Sequence, residues 1–75
     1  NILLVEDDYV IQHTASYILG KFVDKITLAS NGVSGIRLYN ETKPDVVITD
    51  IEMPEMDGLE MSRRIVELGD DVPII

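Results

Sequence analysis

Residues 46–58, Val46-Val47-Ile48-Thr49-Asp50-Ile51-Glu52-Met53-Pro54-Glu55-Met56-Asp57-Gly58, decide how the chain folds. The segment opens on a β-favouring apolar run, Val46 to Ile48, that stops abruptly at Thr49-Asp50, the pattern of a strand buried on both faces. It closes on Asp57-Gly58-Leu59-Glu60, which has the D-x-x-E form of a capping box. The helix this opens carries Met61, Ile65 and Leu68 at i, i+4 and i+7. That helical spacing argues against a hairpin at Asp57-Gly58. Strand, loop and helix in this order make one unit of an α/β fold.

Working outward, Lys43-Pro44-Asp45 breaks a preceding helix that places Gly32, Gly35, Ile36 and Tyr39 on one face after the turn residues Ser30-Asn31. Two glycines there each forfeit about 1 kcal/mol of helix propensity, which predicts a close approach of this helix to a sheet. Ile26 and Leu28 alternate with Lys25 and Thr27, as in a half-exposed edge strand. Ile11, Ala15, Ile18 and Phe22 recur at helical spacing, with Asp8 placed to cap the start and Gly20 near the end. Ile2 to Val5 is a second fully buried strand, and it too stops at acid, Glu6-Asp7. Downstream, Gly69-Asp70-Asp71 ends the third helix and Val72-Pro73-Ile74-Ile75 begins another strand. Strands alternating with helices through short connections predict an open, doubly wound parallel sheet with right-handed crossovers. A natural domain rarely stops inside an apolar strand, so residues 1–75 are expected to be the front part of a longer fold. The unpaired edge of Val72, Ile74 and Ile75 is expected to favour self-association.

With 75 residues, 45% of them apolar and 27% charged, the chain has the composition of one small globular domain rather than of a disordered segment. It has no cysteine, which excludes disulfides, thiolate metal sites and a catalytic thiol, and fits a reducing compartment. The longest apolar run, Ile2 to Val5, falls far below the ~20 residues of a membrane span. No basic segment precedes an apolar stretch as in a signal peptide, and a cytoplasmic setting is expected. Six basic and fourteen acidic residues give a net charge of −8, which repels polyanions, so direct nucleic-acid binding by this segment is not expected. Half of the acidic residues, Glu6, Asp7, Asp8, Asp50, Glu52, Glu55 and Asp57, fall in two short segments.

Ligands of open parallel sheets bind beyond the carboxyl ends of the strands, near the point where the winding reverses. If the two buried strands are neighbours, Glu6, Asp7 and Asp50 converge there. Such carboxylates repel one another and raise at least one pKa unless a cation neutralises them. An all-oxygen donor set without His or Cys selects a hard ion, and Mg²⁺ is the usual choice where phosphate is involved. A strand-end carboxylate beside Mg²⁺ can attack phosphorus and become an aspartyl phosphate.

NILLVEDD at residues 1–8, followed by VVITDIEMPEMDG with Asp50 placed 43 positions after Asp7, resembles the receiver domain of bacterial two-component response regulators of the chemotaxis-regulator type. The likeness extends over KPDVVITD, the SNG opening of the second helix and the VPII strand. The D-x-x-M-P-x-M-D-G segment is the specific part; the Glu6-Asp7 pair alone is a weak signal. The resemblance implies a flavodoxin-like fold with strand order 2-1-3-4-(5), of which the chain holds the (βα)3β front part. It implies that Asp50 is the phosphoacceptor, charged by a histidine kinase or phosphotransfer protein, and that Asp7 is a direct Mg²⁺ ligand. Glu6 occupies the companion acidic position, usually a ligand through water, and the backbone carbonyl of Glu52 completes the protein ligands. Met53, Pro54 and Gly58 shape the loop behind the site. Receivers also use a Thr or Ser at the end of the fourth strand and a Lys at the end of the fifth, both beyond Ile75. A domain of this kind is a signalling phosphoacceptor and catalyses only its own phosphorylation and dephosphorylation.

Other readings account for less. A phosphohydrolase of the haloacid-dehalogenase type also uses a strand-end Asp and Mg²⁺, but its D-x-D-x-[TV] pattern mismatches Asp50-Ile51-Glu52-Met53-Pro54 and leaves Glu6-Asp7 unexplained. A receiver fold kept only as an interaction module has no need to hold mutually repelling acids together. Asp50 to Gly58 is not a calcium loop, because Gly falls at the ninth place and Pro54 intrudes. Asp8 and Asp57 read as helix caps, His13 as a surface residue, Glu52 and Glu55 as solvated side chains, and Met53, Met56 and Met61 as apolar gap-fillers.

Overall fold

The strand Ile2–Val5 (β1) is buried along its whole length, and this follows from its place in the middle of the sheet. A computed structural model describes residues 1–50, 57–69 and 72–75. After β1 come helix Tyr9–Leu19 (α1), strand Ile26–Ala29 (β2), helix Gly32–Thr42 (α2), strand Val46–Thr49 (β3) and helix Gly58–Glu67 (α3). The strands pair in parallel in the order β2-β1-β3, with Val5 opposite both Ala29 and Thr49. The edge position expected for residues 26–28 is therefore the one observed. Beyond β3, Ile74 forms a parallel bridge with Val47, supported by the Val47 and Ile75 amides donating to the Pro73 and Val47 carbonyls at 2.9 Å each. The segment read as a fourth strand thus lies where the order 2-1-3-4 requires it.

Successive strand residues point to opposite faces. Leu3, Val5, Ala29 and Val47 join Tyr39 from α2 and Met61 and Ile65 from α3 in one fully buried core. Gly35 explains how tightly this layer packs. A Cβ there would stand 2.6 Å from the Met61 sulfur and 3.2 Å from Cγ2 of Val5, so the expected close approach is made to α3 as well as to the sheet. Leu4 and Ile48 face the other side, where they line an open groove of about 350 Å³ with Ile11 and Ala15 of α1.

Sidedness on α1 differs from the expectation. Ile11, Ile18 and Phe22 are 55, 52 and 80% exposed, and the buried α1 residue is Gln12. The less exposed row of the helix is Gln12, Ala15, Ser16 and Leu19, about one residue round from the apolar stripe, and Phe22 lies past its end. Leu68 is likewise half exposed, because α3 stops at Glu67 and Leu68 is its C-cap. The helix starts agree with the sequence. Asp8 and Asp57 accept from the Ile11 and Glu60 amides at 3.1 and 2.9 Å. Asn31, read only as a turn residue, also caps, accepting from the Ser34 amide at 2.8 Å.

Candidate functional site

The in-register pairing of Val5 with Thr49 sets the next residue of each strand, Glu6 and Asp50, side by side at the carboxyl edge of the sheet. Backbone bonds carry the ladder past the strands: the Asp50 amide donates to the Val5 carbonyl at 3.1 Å, and the Glu6 amide to the Ala29 carbonyl at 3.0 Å. The Thr49 hydroxyl donates to the Asp50 carbonyl at 2.8 Å. With the backbones held in this way, one carboxylate oxygen from each of Glu6, Asp7 and Asp50 lies within 4.8 Å of the others. Asp7 and Asp50 are open to solvent, and Glu6 is buried.

Burial is the largest influence on Glu6 and pushes its carboxyl above the ordinary 4.5; the charges of Asp50, Asp7 and Asp8 push the same way. Opposing them, the Asp8 amide donates to Glu6 Oε1 at 3.3 Å, at the positive end of α1. Three oxygen donors of like charge at this spacing suit a hard divalent cation, so the donor set fits Mg²⁺.

Of the residues expected at the site, Glu6, Asp7 and Asp50 are brought together, and Gly58 is the buried first residue of α3. Glu52, Met53, Pro54 and Glu55 lie outside the described residues, as does Met56; Met61 packs in the core as a gap-filler should. His13 is exposed, its ring 4.1 Å from that of Tyr9. Sequence reading missed Gln12, whose carboxamide nitrogen donates to the carbonyls of Glu6 at 3.2 Å and Ala29 at 3.1 Å. Its spacing of four from the cap Asp8 was the available signal, hidden because the less exposed row Gln12, Ala15, Ser16, Leu19 is not conspicuously apolar.

A parallel α/β sheet with acids gathered just past the ends of β1 and β3 has its candidate site where open sheets of this class bind ligands, beyond the carboxyl ends of the strands. The sequence matches the response regulator receiver domain family over residues 2–75, and the chain belongs to that family, whose members serve two-component signal transduction. It is similar to the response regulator MprA of a Mycobacterium species (strain KMS), with 36% identity over 99% of this chain and 32% of the relative, and to MprA of Mycobacterium leprae at 34%. Among solved structures it resembles the N-terminal domain of an uncharacterized Wolinella succinogenes protein, with 39% identity and a TM-score of 0.95 over 99% of this chain and 60% of that one. A receiver domain protein from Clostridium thermocellum matches with 28% identity and a TM-score of 0.89, over 97% of this chain and 60% of that one. The chain thus spans about a third of the length of the curated relatives it matches.

Proposed function

We propose that Asp50 is the phosphoacceptor of a two-component relay, and that residues 1–75 are the front part of a receiver domain in the protein that carries them. The observation supporting this is the convergence of Glu6, Asp7 and Asp50 within 4.8 Å at the strand ends. A carboxylate oxygen of Asp50 attacks the phosphorus of a phosphohistidine on a histidine kinase or phosphotransfer protein. The P–N bond breaks, the imidazole leaves with the electron pair and takes a proton, and the product is an aspartyl phosphate that water later hydrolyses. Glu6, Asp7, Asp50 and the Glu52 carbonyl are the residues that would hold Mg²⁺. When bound, it offsets the charge of the cluster and of the transferring phosphoryl group.

The domain transfers phosphate to itself and is not a turnover enzyme. The haloacid-dehalogenase reading has no support from the family membership, and a non-signalling module does not account for the clustered acids. A cytoplasmic location accords with a chain free of cysteine, and among the described residues no helix is long and apolar enough to cross a membrane. The test is incubation of the whole receiver domain with a small phosphodonor. Stoichiometric labelling that requires Mg²⁺ is expected; continuous turnover of phosphomonoesters, or no labelling at all, contradicts the proposal.

A further inference from the structure

We infer that Gln12 is a positioning residue for the acidic site, tying the ends of β1 and β2 together so that Glu6 and Asp7 project from a fixed backbone. This rests on the reading of Glu6, Asp7 and Asp50 as a divalent-cation site. Gln12 is a polar residue only 7% exposed, on a helix whose Ile11 and Ile18 are half in solvent. Its two amide hydrogens have separate acceptors, the Glu6 carbonyl at 3.2 Å and the Ala29 carbonyl at 3.1 Å. The Ala29 carbonyl also accepts from the Glu6 amide at 3.0 Å, so both backbone groups of Glu6 are tied to one node. The Glu6 carbonyl belongs to the same planar peptide unit as the Asp7 amide, so fixing its direction orients the chain into Asp7 as well.

Like charges push the three carboxylates apart, and an unsecured strand end would yield to that push. A cation then binds more weakly, because part of its binding free energy goes into reassembling the donors. Residues that orient metal ligands in this way typically change metal affinity by roughly 10–100-fold when removed.

The experiment is a Mg²⁺ titration of the whole receiver domain as wild type, Gln12→Met, Asp7→Asn and Ile65→Val, the last a core change remote from the acids. Gln12→Met keeps the length and removes the donors. Its Mg²⁺ Kd is expected to rise about tenfold or more, while Ile65→Val stays within about twofold of wild type and Asp7→Asn loses binding. A Gln12→Met affinity equal to wild type, with Asp7→Asn still deficient, overturns the positioning role and leaves the cation site standing. Full Mg²⁺ affinity in Asp7→Asn overturns the site and the inference together. Wild-type protein offers a second measurement should Gln12→Met not fold. The Gln12 side-chain amide resonances should shift during the titration with the same Kd as the Asp7 backbone amide; no shift overturns the inference.

Discussion

Glu6 is the residue at which burial and charge act together. Its folded carboxyl holds a proton at higher pH than the unfolded value of 4.5, chiefly because it is buried. The stability it contributes is therefore fully present below pH 4.5 and is lost as pH rises through the raised value. Glu6→Gln keeps the acceptor for the Asp8 amide and cannot ionise, so it escapes this loss. Urea midpoints in EDTA should separate in favour of Glu6→Gln as pH climbs from 4 to 8; a constant difference contradicts the burial argument. Asp7 supplies the complementary prediction. At an effective dielectric near 20, charges ~5 Å apart repel by roughly 3 kcal/mol before solvent and ions screen them. Asp7→Asn should accordingly raise metal-free stability by on the order of 1 kcal/mol and lose most of the stabilisation that millimolar Mg²⁺ gives wild type. Equal Mg²⁺ stabilisation of both proteins in urea unfolding would show that the cation binds elsewhere.

Among the elements, α2 is fixed by what it lacks. At Gly35 an added Cβ would stand 2.6 Å from the Met61 sulfur and 3.2 Å from Cγ2 of Val5, so a side chain there requires Met61 to move and Val5 to give. Gly35→Ala gains ~1 kcal/mol of helix propensity against overpacking of typically about 1–3 kcal/mol. A net loss of roughly 1 kcal/mol is expected, and Met61→Ala in the same chain should recover part of it, a coupling that a double-mutant cycle reads directly. Additive effects would mean the contact is not the constraint. β1 was legible because a strand in the middle of a parallel sheet is apolar at every position. β3 was legible from Val46 to Ile48, although only Val47 of it is fully buried, because among the described residues its far side is flanked by no more than the bridge to Ile74. The caps Asp8 and Asp57 were legible because the residue type names the role. The α1 stripe was misplaced because periodicity marks an apolar row without saying which neighbour covers it. Ile11 lines the groove and Ile18 stays half exposed, while Gln12, with two carbonyls to satisfy, takes the place against the sheet. For the site, two acidic segments at strand ends foresaw the convergence of Glu6, Asp7 and Asp50 once the two strands were taken as neighbours. The backbone ties among Glu6, Gln12 and Ala29 depend on strand neighbours, which residue spacing does not encode.

In the molecule as a whole, the two faces of the sheet are unequal. One carries a fully buried core built by α2 and α3; on the other, Leu4, Ile11, Ala15 and Ile48 line an open groove, and Ile18 and Phe22 of the α1 segment are exposed as well. Residues 1–75 expressed by themselves should therefore associate, and sedimentation at high concentration should show species heavier than 8.4 kDa. A cooperative monomer under those conditions would contradict the reading of that surface. The parallel register also sets the acidic cluster, since pairing Val5 with Thr49 brings Glu6 beside Asp50. Mapping the phosphoryl group shows whether Asp50 is the nucleophile of this site. Wild-type receiver domain and Asp50→Asn are treated with a small phosphodonor and Mg²⁺, and the label is located by peptide analysis. An acid-stable, base-labile label is expected on the peptide containing Asp50, and none on a folded Asp50→Asn protein. Label that persists in Asp50→Asn and maps to another residue would contradict that role for Asp50.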